Sequence, residues 1–149
     1  MKLLIKNIGC LQTPTGSYSH KGSKQAQNIK LIDAAIAVED GIIREITQGG
    51  RLPQGEFDKV IDAEGKLVTP GLVDGHTHLV FGGYRQNEIP LKLEGADYLD
   101  ILRAGGGILD TVRKTREASF EELYDKSEEF LDEMLALGVT TCEAKSGYG

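Results

Sequence analysis

Val68-Thr69-Pro70-Gly71-Leu72-Val73-Asp74-Gly75-His76-Thr77-His78-Leu79-Val80-Phe81-Gly82-Gly83-Tyr84-Arg85 is the stretch from which the fold is read. Pro70 and Gly71 end whatever precedes them, and Leu72 and Val73 read as a short buried strand. Side chains of a strand alternate between faces, so residues i and i+2 leave on the same side. His76 and His78 therefore present two imidazoles to one metal ion, and imidazole is a common ligand for zinc, iron and similar metals. Gly75 leaves room for backbone beside the ion, and Asp74 is expected to orient one imidazole by a hydrogen bond. Arg85, seven residues past the pair, is placed to hold a substrate carboxylate bidentately. Two histidines so spaced are, alone, more often half-exposed strand residues than ligands. The Pro-Gly entry, the Asp-Gly-His-Thr-His run and the glycine-rich loop behind it narrow the reading to a metal site.

Upstream, residues 2 to 8 read as a strand, and residues 12 to 28 as a solvent loop carrying His20, which is not expected to bind metal. Residues 33 to 39 and 41 to 46 flank Glu39-Asp40-Gly41, and Asp-Gly between β-rich runs signals a hairpin. A second pair of short runs, 59 to 62 and 66 to 69, brackets Ala63-Glu64-Gly65 in the same way. Residues 1–70 thus read as a small β-rich, sandwich-like module with a structural role.

Downstream, residues 79 to 94 read as one long loop, followed by short helices at 96 to 103 and 108 to 117. Gly105-Gly106-Gly107 lies between them. No Gly-Lys-Ser/Thr follows, which excludes a P-loop and leaves close backbone approach or a tight turn. Arg113-Lys114-Thr115-Arg116 reads as a solvated basic run. Ser119-Phe120-Glu121-Glu122 has the capping-box pattern. The helix it opens carries Leu123, Phe130, Leu131, Met134 and Leu135 on one side, with Lys126 and the acidic residues on the solvated remainder. Gly138 stands where a C-terminal cap belongs, and Val139-Thr140-Thr141-Cys142 reads as a strand. Strand, loop, helices, strand is the βαβ logic of a parallel sheet. The expected class is α/β, with residues 71–149 forming the first βα units of a (β/α) barrel. A complete barrel needs about 250 residues, so 149 hold only part of one. Glu143, Lys145 and Tyr148 follow the second strand at the rim where both histidines stand. Tyr148 offers a hydroxyl to a substrate.

Net charge −6, with 40% apolar and 27% charged residues, describes an ordinary folded domain rather than a disordered one. An acidic balance without a Lys/Arg stripe argues against nucleic-acid partners. Met1–Lys6 is interrupted by charge too soon for a signal peptide or membrane span, so no membrane partner and a cytoplasmic location are expected. Cys10 and Cys142 lack metal-site spacing and are expected to be reduced thiols.

The 68–85 stretch, Gly105-Gly106-Gly107-Ile108-Leu109-Asp110-Thr111-Val112-Arg113-Lys114-Thr115-Arg116 and Glu143-Ala144-Lys145-Ser146-Gly147-Tyr148-Gly149 together resemble the imidazolonepropionase family of the amidohydrolase superfamily, and most closely its amino-terminal portion. The resemblance implies a partial TIM-type barrel of the metal-dependent hydrolase kind. It implies hydrolysis of the cyclic amide of 4-imidazolone-5-propanoate to N-formimidoyl-glutamate in histidine degradation, with one zinc or iron ion. It makes His76 and His78 two of the ligands, and Arg85 and Tyr148 substrate-binding residues, Arg85 through the propanoate carboxylate. The family's other ligands and its catalytic carboxylate would lie beyond Gly149, so no catalytic residue is expected within this chain, which alone should be inactive. The full-length enzyme is expected to be a homodimer. Two rivals stand beside this reading. One is another amidohydrolase, such as a cytosine or guanine deaminase or a dihydroorotase-like enzyme. The other is a non-catalytic metal-binding or dimerising module.

Overall fold

A single strand, β1 (Lys2–Pro14), is the spine of the amino-terminal unit. The computed structural model describes residues 1–146 and divides them into two units, Met1–Pro70 and the residues from Gly71 onward. On one side of β1 lies the antiparallel β2 (Asn28–Glu39), in register from Lys2↔Glu39 to Pro14↔Asn28. The next neighbour outward is β3 (Ile42–Thr47), antiparallel to β2. Asp40 (φ 50°) and Gly41 (φ 79°) make the two-residue turn between them, and positive φ at both positions is what a type I′ hairpin turn demands. The expected hairpin is present.

The second bracketed pair behaves differently. β4 (Lys59–Asp62) and β5 (Leu67–Val68) do not form a hairpin with each other; both lie parallel to β1, one beyond the other on its free side. Thirteen residues of β1 give room for both, and Glu64 and Gly65, at positive φ, step the chain from one to the next. Adjacency in sequence suggested a hairpin, but the edge of β1 offered more backbone donors and acceptors than a four-residue partner could. The same length corrects the reading of residues 12 to 28 as loop, since β1 runs to Pro14 and β2 starts at Asn28. Between them His20 is half-buried, its Nε2 3.0 Å from the Thr15 hydroxyl and from the Thr15 carbonyl. The core of this unit is Ile8, Leu11, Ala34, Ile36 and Ala63.

From Gly71 onward the elements run β6 (Leu72–Thr77), α1 (Glu88–Leu93), α2 (Tyr98–Arg103), α3 (Ile108–Glu117), α4 (Phe120–Ala136) and β7 (Val139–Ala144). β6 and β7 are parallel, pairing Leu72↔Val139 and Thr77↔Ala144. α4 starts at the Ser119 capping box, in which Glu122 N donates to Ser119 Oγ (3.1 Å) and Ser119 N to Glu122 Oε2 (2.8 Å). Gly138, at φ 91°, ends it, and its carbonyl accepts from Leu72 N (2.8 Å), tying the helix exit to the start of β6.

Three expectations are corrected here. Residues 79 to 94 are not one loop but contain α1. Pro90 sits in its first turn, where a missing N–H costs nothing. Leu72 and Val73 are not buried but 54% and 71% exposed, because two parallel strands cannot cover both faces of a sheet. On α4 the half-buried face is Leu123, Lys126, Ser127, Phe130 and Met134, whereas Leu131 and Leu135 are exposed. Among the described residues of this unit, Ile101 is the one buried large apolar side chain.

Candidate functional site

β6 delivers His76 within the strand and His78 one residue past its end. Their ring centres are 5.5 Å apart, with the planes at 73°. Two imidazoles on one tetrahedral ion, each at ~2.1 Å through nitrogen, have ring centres about 5 Å apart. The ring separation is close to that value. Among the described residues, no cluster of three or more His, Cys, Asp or Glu side chains is arranged to complete such a site. Asp74 does not orient an imidazole as expected: its Oδ1 accepts from the backbone N of His76 at 3.2 Å. A carboxylate two residues before an amide closes a local turn more easily than it reaches across to a ring.

Thr77, between the histidines, fastens β6 to the end of β7. Its hydroxyl donates to Glu143 O (2.6 Å), and Lys145 N donates to Thr77 O (2.9 Å). Lys145 Nζ and Glu143 Oε1 bond to each other at 2.9 Å, so these two rim charges pair. Tyr148 lies outside the described residues.

A cleft of about 230 Å³ is lined by His78, Phe81, Gly83, Tyr84, Arg85 and Thr111. It brings Arg85 to the same space as one histidine of the pair. The Arg85 side chain is 38% exposed, and its Nε lies 3.9 Å from Oε1 of Glu88.

Glu88, read with Tyr84, Arg85, Gln86 and Asn87 as a polar residue of the 79 to 94 loop, gets no role from the sequence because α1 is not seen there. Its carboxylate is 5% exposed, accepts from Gly107 N at 2.6 Å, and lies 3.6 Å from Lys92 Nζ. The triple glycine is thus a wrap of backbone around a buried acid. A Cβ on Gly106 would lie 2.9 Å from the Ile101 side chain and 3.0 Å from Glu88 Oε1. The signal was the helical spacing of Arg85, Glu88 and Lys92 at i−3 and i+4.

The basic run on α3 is also not simply solvated. Arg113 and Lys114 pair with the buried Asp110 (2.5 and 2.7 Å), and Lys114 foremost, with Arg113, holds that carboxyl below the usual carboxylate range. Lys114 Nζ also donates to Tyr84 O (3.1 Å), and Thr115 Oγ1 accepts from Gly82 N (2.9 Å).

Residues 59–97, which include both histidines, Arg85 and Glu88, match the sequence model of the amidohydrolase family. The chain is 47% identical over 150 residues to the imidazolonepropionase of Bacillus cytotoxicus, covering 100% of this chain and 36% of that protein. It is 48% identical over 156 residues to the imidazolonepropionase of Alkaliphilus metalliredigens, covering 99% and 36%. In solved structures, a triazine hydrolase from Arthobacter aurescens superposes with a TM-score of 0.63 at 21% identity, over 96% of this chain and 28% of that one. The guanine deaminase of E. coli gives 0.52 at 18% identity, over 95% and 30%. These structural likenesses speak for the fold alone. The chain spans about 36% of the length of the curated relatives it matches, and over that whole span it is similar to imidazolonepropionases, with its two histidines inside the segment that matches the amidohydrolase family.

Proposed function

We propose that this chain is the amino-terminal part of a metal-dependent hydrolase that opens the cyclic amide of 4-imidazolone-5-propanoate to N-formimidoyl-glutamate. The observation that supports the reading is that His78, whose ring lies 5.5 Å from that of His76, lines one cleft with Arg85. His76 and His78 would hold one zinc or iron ion, together with ligands from further along a longer chain. Such an ion, when bound, supplies Lewis acidity toward water and toward a carbonyl oxygen. Arg85 holds the propanoate carboxylate and so sets the ring at the histidine end of the cleft. Its one ion pair among the described residues is through Nε to Glu88. That leaves the terminal nitrogens to make the two parallel bonds a carboxylate takes from a guanidinium. Tyr148 is proposed as a further substrate contact. No group described here is placed to move the reaction's protons, and that role is assigned to the remainder of a longer chain. The exposed Leu72 and Val73 support the same division, because further βα units of a barrel would cover them. We further propose that residues 1–70 are a structural module, that the working compartment is the cytoplasm, and that the complete enzyme is a homodimer.

A nucleobase deaminase would share the fold, but its nucleobase substrate has no carboxylate for Arg85 to hold. The test is turnover by a chain of the relatives' length. Imidazolone propanoate is expected to be hydrolysed, and R85M to raise its KM about a hundredfold, equivalent to ~2.7 kcal/mol. Turnover of guanine or cytosine alone would refute the assignment. Sub-micromolar zinc binding by the 149-residue chain, lost in H76A and H78A and completed by a third ligand from within the chain, would favour the non-catalytic metal module.

A further inference from the structure

Lys126 lies in the middle of α4 among acidic neighbours, where the sequence suggests a solvated charge. Its Nζ instead donates to Phe81 O and to Gly83 O, both at 3.1 Å. It stands 3.6 Å from the centre of the Phe81 ring and 3.8 Å from that of Tyr84, with Phe130 at 5.7 Å. The rings pack on one another: Phe81 is stacked with Phe130 and edge-on to Tyr84. Carbonyl oxygens and aromatic faces are both electron-rich, so together they form a receptor for one primary ammonium. Burial of that ammonium lowers its pKa from the usual lysine value.

The segment so held is the one that joins His78 to Arg85. Lys126 takes the carbonyls of Phe81 and Gly83, Lys114 that of Tyr84, and Thr115 the N–H of Gly82. Gly82 permits the approach, since a Cβ there would lie 2.4 Å from Lys114 O. Phe81, Gly83 and Tyr84 then form the wall of the cleft between His78 and Arg85. A loop with two adjacent glycines has little conformational preference of its own. What fixes it is the set of side chains reaching in from α3 and α4.

We infer that Lys126 is a positioning residue: by gripping the Phe81 and Gly83 carbonyls and the Phe81 and Tyr84 rings, it sets the spacing of His78 and Arg85 across the cleft. That spacing selects the reach between the reacting carbonyl and the carboxylate of the substrate. The inference rests on the reading of Arg85 as the carboxylate-binding residue.

The test uses K126M and K126A in a chain of the relatives' length. K126M keeps a long apolar stem without the ammonium, and is expected to raise KM for imidazolone propanoate about tenfold or more, with kcat changed less than about threefold. In K126A, added propylammonium refills the vacated receptor and is expected to return KM to within about threefold of the unsubstituted value, whereas propanol does not. A KM for K126M within about twofold of the unsubstituted enzyme, or equal restoration by propanol, would overturn the inference. The same titration of the 149-residue K126A chain is read by NMR at the Gly82, Gly83 and Arg85 amides. Shifts with propylammonium alone are expected, and their absence overturns the inference whatever the activity. Shifts in a chain whose full-length form leaves the imidazolone untouched would refute the proposed function and leave the grip of Lys126 on the loop intact.

Discussion

Replacing Glu88 separates the contributions that hold the triple-glycine turn. The buried carboxylate accepts from Gly107 N at 2.6 Å and faces Lys92 and Arg85 at 3.6 and 3.9 Å. A hydrogen bond to a charged group contributes about 1.5–3 kcal/mol and one between neutral groups about 0.5–1.5 kcal/mol. Glu88→Gln keeps an acceptor for the Gly107 N–H and loses the charge, at a cost of ~1 kcal/mol. The two ion pairs add little to this, because Lys92 and Arg85 are solvent-exposed. Glu88→Ala leaves a buried N–H with no acceptor and removes one methylene and the carboxylate it packs, together about 3 kcal/mol. The assay is amide hydrogen exchange at Gly106 and Gly107, which reads local opening without requiring the two units to unfold together. Exchange is expected to quicken about fivefold in Glu88→Gln and about 150-fold in Glu88→Ala. Equal acceleration in both, or less than about fivefold in Glu88→Ala, would refute the argument that the carboxylate is what the glycines are folded around.

Two further outcomes follow from the geometry. Gly9→Ala would put a Cβ 2.0 Å from the Gly65 carbonyl oxygen and is expected to destabilise the amino-terminal unit by about 3 kcal/mol, measured by urea denaturation. Gly75→Ala, whose Cβ meets nothing within 4 Å, should stay within ~0.5 kcal/mol and serves as the control. The lowered carboxyl of Asp110 contributes stability that is fully present above the unfolded aspartate value of ~3.9 and is lost as pH falls through its lower folded value. The stability difference between the unsubstituted chain and Asp110→Asn should therefore be constant above about pH 5 and shrink below about pH 4, as read by acid titration of helix content.

What was legible in the sequence was whatever local chemistry decides. The Asp40-Gly41 turn requires positive φ twice, and its residues are those that tolerate it. The Ser119–Glu122 box and Gly138 mark the ends of α4 by the hydrogen bonds their own side chains and backbone make. That His76 and His78 stand close together, with ring centres 5.5 Å apart, follows from their being two residues apart in the chain. The partners of β4 and β5 were not legible, since a four-residue and a two-residue strand carry no mark of which neighbour they will join. The fates of Lys126 and Glu88 were likewise hidden, the first because a charged residue in a charged helix looks solvated and the second because its segment reads as loop.

The sequence by itself determined the Asp40-Gly41 turn, the Ser119 cap and the end of α4 at Gly138, because each depends on residues within a few positions of one another. Only the tertiary structure decided that Glu88 sits beneath Gly107, that Lys126 grips Phe81 across 45 residues of chain, and that Arg85 shares a cleft with His78. Those arrangements depend on which distant groups must satisfy each other's charges and hydrogen bonds once water is excluded, and no local pattern encodes that choice.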